Sequence, residues 1–105
     1  MPYIKEEDRD ELNSLIGQLS DVLVRLHIKY GYDGAFAGLL NYTCTTLATQ
    51  ILLKKFGKLR YWMIAIVTGT FKNIADEFYR RVASPYEDKQ ATNNGDIPEY
   101  KKLIE

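Results

Sequence analysis

Apolar residues recur at intervals of three and four positions through two long stretches of the sequence, and this period allows little besides helices. The first stretch contains Leu12, Leu15, Ile16, Leu19, Val22, Leu23 and Leu26. The second contains Leu59, Trp62, Met63, Ile66, Val67, Phe71, Ile74, Phe78 and Val82. Residues at this spacing lie on one face of an α-helix. The pattern therefore predicts amphipathic helices that pack their apolar faces against other helices.

Glycines and capping residues indicate where these helices begin and end. We expect the first helix to begin near Asn13-Ser14 and to end before Gly31. Asp33 is a candidate N-cap for a second helix, which we expect from about Ala35 to Phe56, with Gly57 as its stop.

A third helix is expected from about Arg60 to Val82, where Ser84-Pro85 ends or bends it. The connection of residues 57–59 is short, so it predicts that the second and third helices are antiparallel neighbours. The fold class expected is all-α. We expect residues 1–96 to form a three-helix antiparallel domain and residues 97–105 to form a short, partly flexible C-terminal tail. A chain of 105 residues has a thin core, so we expect a homo-oligomer, with the second helix at the interface.

Charge and composition narrow the classes of function. The formal net charge is zero, but residues 34–82 carry seven Lys/Arg against two Asp/Glu. This balance does not favour binding of long nucleic acid, whereas a local anion site in the middle segment fits it. The single Cys44 and single His27 provide neither a disulfide framework nor a zinc site, and they fit a reducing compartment such as the cytoplasm. The uncharged run of residues 34–53 contains too many Thr, Asn and Gln residues for a membrane span, so no membrane association is expected.

The second helix is unusual because its polar residues are uncharged. Asn41, Thr45 and Thr49 are spaced by four and lie on one face. This face predicts either a closely packed contact between subunits or a pocket that forms hydrogen bonds with a polar ligand. The sequence leaves both alternatives open.

Arginines and tyrosines suggest what such a ligand would be. Arg80 and Arg81 follow Asp76 and Glu77 by four positions, so they form surface ion pairs or, alternatively, a phosphate clamp. Aromatic rings beside arginine and amide groups are typical of nucleotide binding. The candidate ligand-binding residues are Asn41, Tyr42, Thr45, Arg60, Tyr79, Arg80, Arg81 and Tyr86.

No catalytic constellation, metal site or cofactor site is expected. The chain has no glycine-rich phosphate loop after a strand, and its carboxylate clusters lie in solvated segments. The function expected first is therefore non-enzymatic sequestration of a small, anionic, nucleotide-like ligand. The alternative is a structural or protein-partner adaptor whose polar second helix is only an oligomer interface.

Several short motifs together resemble a known family. They are Met1-Pro2-Tyr3-Ile4, Glu7-Asp8-Arg9, Leu40-Asn41-Tyr42, Glu77-x-Tyr79-Arg80-Arg81, Pro85-Tyr86-Glu87 and Asn94-Gly95-Asp96. The set resembles a family of small helical proteins of bacteria, archaea and phages to which no activity is assigned. By analogy of size, helicity and site chemistry alone, the chain is similar to phage sponges that sequester cyclic nucleotide signals of the CBASS and Thoeris defence systems. The analogy implies an anti-defence role.

Overall fold

The computed structural model describes residues 4–105, which are almost entirely helical. The elements are α1 (Glu6–Tyr30), α2 (Ala35–Phe56), α3 (Tyr61–Phe78), a π-helical turn (Tyr79–Ala83), α4 (Ser84–Asn94) and α5 (Pro98–Ile104). No strand occurs within the described range. The all-α prediction is thus confirmed. The expected number of three helices is wrong, because α3, the π-helical turn and α4 run on without a break and α5 follows, making four helical segments.

The chain divides into two units. The first ends at Gly57 and contains α1 and α2, and the second runs from Lys58 to Glu105 and contains the remaining elements. Three features stay predictions. They are the antiparallel packing of the third helix on the second, the oligomer, and the domain boundary between residues 96 and 97. The motif Met1-Pro2-Tyr3 lies outside the described residues.

The first helix begins earlier than its capping residues indicated. α1 starts at Glu6 rather than near Asn13-Ser14. Glu6, Glu7 and Asp8 occupy its first turn, where negative charge is stabilised by the exposed N–H groups and the helix dipole. Its end is as predicted, because Gly31 adopts φ 78° and donates its N–H to the His27 carbonyl at 3.1 Å.

The bounds predicted for α2 are confirmed at both ends. Gly57 has φ 74°, and its N–H lies 3.0 Å from the Leu53 carbonyl, so it closes the helix as expected. The predicted cap at Asp33 is wrong. Gly34 occupies the N-cap position, and no side chain caps the helix. Backbone carbonyls accept hydrogen bonds from the first N–H groups instead. For example, the Ala37 N–H donates to the Gly34 carbonyl at 3.1 Å.

Pro85 does not end the third helix. Its ring would clash with the carbonyl four residues earlier in a regular α-helix. The helix widens just before it, and the Ser84 N–H donates to the Tyr79 carbonyl five residues back. The π-helical turn therefore carries the helix past the proline into α4. α4 ends at Asn94, and Gly95 follows with φ 83°.

Burial is very low in both units. Of residues 4–105, only Ala35 in α2 and Met63 in α3 are buried hydrophobic residues. The α1 stripe, defined as Leu12, Leu15, Ile16, Leu19, Val22, Leu23 and Leu26, contains no buried residue, and Leu15 is 58% exposed. In the second unit Phe78 is 66% exposed. Neither unit therefore encloses a hydrophobic core of its own. Among the described helices, none combines the length and apolar character needed to cross a membrane.

Candidate functional site

The predicted ligand-binding residues fall in both units. Asn41, Tyr42 and Thr45 belong to α2 in the first unit. Arg60, Tyr79, Arg80, Arg81 and Tyr86 belong to the second unit. All eight side chains are exposed.

The polar face of α2 uses its hydroxyl groups within the helix. Thr45 Oγ1 donates to the Asn41 carbonyl at 2.7 Å, and Thr49 Oγ1 donates to the Thr45 carbonyl at 2.8 Å. Threonine often forms such bonds to the preceding turn of its own helix. The hydroxyl protons are therefore engaged, and these groups can offer a ligand only acceptor lone pairs.

A groove between α1 and α2, called the α1–α2 groove below, is a concave feature of the first unit. Its volume is about 580 Å³, and from α1 it is lined by Leu19, Val22, Leu23 and Leu26. Tyr30 and Tyr32 at the connecting turn and Tyr42 of α2 also line it. Among residues 4–105, no charged residue contributes to its wall. The groove thus suits an apolar or aromatic occupant with a few hydrogen-bonding groups.

A second, smaller cavity also includes Leu23 of α1. The His27 and Phe36 rings lie 6.0 Å apart between centroids, and together with Leu23 and Val24 they line a cavity of about 190 Å³. His27 Nδ1 is buried and has no hydrogen-bond partner within residues 4–105. The start of α2 therefore contacts α1 at His27.

Arg80 and Arg81 share one carboxylate. Arg81 Nε donates to Glu77 Oε1 at 3.2 Å, which is the predicted pairing. Arg80 Nη2 lies 4.0 Å from the same oxygen, whereas the sequence had predicted Asp76 as its partner. Glu77 thus places negative charge directly beside the candidate phosphate clamp. A phosphate would have to compete with this carboxylate for both guanidinium groups.

Tyr79 is directed at a second carboxylate. Its hydroxyl donates to Glu87 Oε1 at 3.0 Å. This hydrogen bond, reinforced by the negative charge of Glu87, raises the pKa of Tyr79 above its ordinary value. Tyr86 and Arg60 lie exposed on the second unit. Along the described chain, no group of three or more His, Cys, Asp or Glu side chains is placed to hold a metal ion.

Sequence reasoning identified only part of the α1–α2 groove. It identified Tyr42, but it interpreted the α1 stripe as ordinary core and did not assign Tyr30 or Tyr32 to a site. Both tyrosines flank Gly31, which reverses the chain between two helices. Aromatic residues at a tight helix–helix turn were the available signal.

Together, the fold and the groove define a small all-α protein whose helices expose apolar faces. The chain belongs to the family of the domain of unknown function DUF6899, whose model matches residues 1–97. This agrees with the resemblance to a small family without an assigned activity. No curated protein and no solved structure matches the chain.

Proposed function

We propose that this protein acts as an adaptor, binding another protein chain through the apolar helix faces that it leaves exposed. The observation that carries the proposal is the burial of only Ala35 and Met63 as apolar residues within residues 4–105. Contiguous exposed apolar faces on a folded protein are typical of interaction surfaces.

The energy available from covering these faces is large. Fully burying a Leu, Ile or Val side chain contributes about 1.5–3 kcal/mol. The seven residues of the α1 stripe are partly exposed, so a partner that covered them would contribute on the order of 5–10 kcal/mol. That equals the whole stability of a typical small domain, about 5–15 kcal/mol. Helices of this kind gain most of their stability from packing rather than from helix propensity, so a partner surface is an integral part of the fold.

Thermal unfolding at different protein concentrations tests the proposal. If a second copy of the chain covers the faces, the midpoint temperature of unfolding should rise by mass action as the protein concentration increases over about a hundredfold range. If the partner is a different protein, the isolated chain should instead bind an apolar dye strongly. Leu15→Lys, on the α1 stripe, should lower the midpoint or the dye binding. Ile28→Lys, on the opposite side of α1, is the matched control and should change neither.

One result would refute the adaptor proposal. A monomer that unfolds cooperatively, at a midpoint independent of concentration and without dye binding, would mean that the exposed faces need no partner.

The α1–α2 groove favours a second candidate function, the binding of a nucleotide-like ligand. Its volume of about 580 Å³ falls within the range of about 300–1,000 Å³ usual for small-molecule sites. Tyr30, Tyr32 and Tyr42 line it, and stacking on such rings contributes about 1–3 kcal/mol per base. Under this proposal the protein would sequester the ligand without converting it, as expected of a phage sponge acting against CBASS or Thoeris signals.

A melting-temperature screen with cyclic dinucleotides and related signals tests this second function. A bound ligand should raise the melting temperature of the wild type, and Tyr42→Ala should abolish the increase. Tyr61→Ala, on the second unit and outside the groove, is the control and should keep it. If no nucleotide raises the melting temperature, the nucleotide-binding function is refuted and the adaptor function is the one that remains.

A further inference from the structure

The start of α2 contacts one side of the α1 stripe. The His27 ring lies beside Phe36 on this side, where both residues line the small cavity with Leu23 and Val24. Gln18 is nine residues before His27, which puts it half a turn around the helix, on the opposite side of the stripe. The side of α1 that contains Gln18 is exposed.

Three polar residues mark this open side at heptad spacing. Glu11, Gln18 and Arg25 are separated by seven positions each, so they follow one edge of the stripe. The ion pairs formed within residues 4–105 join Arg80 and Arg81 to Glu77, and Lys101 to Glu105. Glu11 and Arg25 therefore have no ion-pair partner within the described chain.

The order of these charges favours one arrangement of two identical helices. In an antiparallel pair, residues on the same edge of each stripe face each other. With a two-fold axis near Gln18, Glu11 of each copy lies opposite Arg25 of the other, and the two Gln18 side chains meet at the axis. In a parallel pair, the edge marked by Glu11, Gln18 and Arg25 faces the other edge of the partner's stripe. Glu11 would then face Ile16, and Arg25 would face Tyr30. Only the antiparallel pair matches the charges.

We propose that the partner of the first unit is a second copy of this chain, paired through antiparallel α1 helices along the edge marked by Glu11, Gln18 and Arg25. This inference rests on the adaptor function proposed above and names the partner. The same register brings Leu15 opposite Leu19 of the second copy and Leu12 opposite Val22. These side chains would cover the open half of the α1 stripe and the mouth of the α1–α2 groove. Two α1–α2 units would then share one apolar core, as in a four-helix bundle.

Charge reversal tested by sedimentation equilibrium decides the proposal. Glu11→Arg and Arg25→Glu should each weaken self-association, on the order of tenfold at low salt, because both symmetric pairs become repulsive. The double variant exchanges the two charges and should recover the wild-type association. An equimolar mixture of the single variants should associate more tightly than either variant alone. Asp10→Arg is the matched control, since Asp10 adjoins Glu11 but lies on the far side of the helix, and it should leave association unchanged.

Three results would overturn the antiparallel pair. One is a Glu11→Arg variant that behaves like Asp10→Arg. Another is a double variant that stays as weak as the single ones although circular dichroism shows full helicity. The third is a wild-type protein that remains monomeric at every concentration. A monomer that binds apolar dye would refute self-pairing and still support an adaptor for a different protein, whereas a stable monomer without dye binding would refute both.

Discussion

Tyr79 and Glu87 illustrate how the winding of a helix decides which side chains meet. Residues eight apart on a regular α-helix are offset by about 80° around the axis, whereas residues seven apart are offset by only about 20°. The π-helical turn at Tyr79–Ala83 inserts one extra residue, so the eight-residue separation acts like seven. The Tyr79 hydroxyl consequently reaches Glu87 at 3.0 Å. A candidate ligand residue is thereby held by a neighbour that the sequence alone did not reveal.

The pKa of Tyr79 provides a direct test of this contact. Glu87→Gln removes the negative charge that holds the proton, so the pKa of Tyr79 should fall towards its ordinary value of about 10. Because the folded-state pKa is raised, the contact stabilises the fold at pH below about 10 and loses this effect as the pH rises through the pKa of Tyr79. Stability near neutral pH should not depend on this titration.

An NMR titration of the Tyr79 ring measures the pKa in each variant. Asp88→Asn neutralises the adjacent carboxylate and serves as the control. If Asp88→Asn lowers the pKa of Tyr79 as much as Glu87→Gln, a diffuse charge effect rather than the hydrogen bond accounts for the shift.

Helix ends were predictable where a backbone conformation demanded a particular residue. Gly31 and Gly57 adopt φ of 78° and 74°, a region that other residues rarely occupy, and both ends were predicted correctly. The start of α1 was missed because acidic residues favour a first helical turn through the dipole, without a capping side chain. Ser84-Pro85 was predicted to end or bend the third helix, since the pattern of apolar residues cannot reveal a π-helical turn.

The candidate site was less predictable than the helices. The sequence identified Tyr42, Arg80 and Arg81 as chemically suitable, but side-chain partners depend on rotamers and on helix winding. Both arginines form ion pairs with Glu77, and the hydroxyl groups of Thr45 and Thr49 donate hydrogen bonds to carbonyls of their own helix. The period of the α1 stripe indicated that this face packs against another apolar surface. It did not indicate whether that apolar surface belongs to the same chain or to another one.

Both units expose most of the apolar surface that their helices carry. Each unit has helices with a regular apolar face, yet Ala35 in the first and Met63 in the second are the buried hydrophobic residues of residues 4–105. Sequence periodicity therefore encodes more apolar surface than either unit covers. The oligomer, which was predicted from the short chain and from the uncharged face of the second helix, stays a prediction.

Truncation of one stripe residue measures whether the whole molecule completes its core by assembly. Leu19 is 40% exposed in the isolated chain, so in a monomer Leu19→Ala should lower the free energy of unfolding only modestly. If a second chain covers the α1 stripe, the same change leaves a cavity in a closed core and should lower it by about 2–5 kcal/mol. Leu103→Ala is the control, because Leu103 in α5 is 80% exposed and its truncation should change stability by less than about 0.5 kcal/mol. Chemical denaturation at several protein concentrations separates the two cases. Equal small losses for both variants, with midpoints independent of concentration, would mean that Leu19 stays in contact with water and that the chain functions as an isolated monomer.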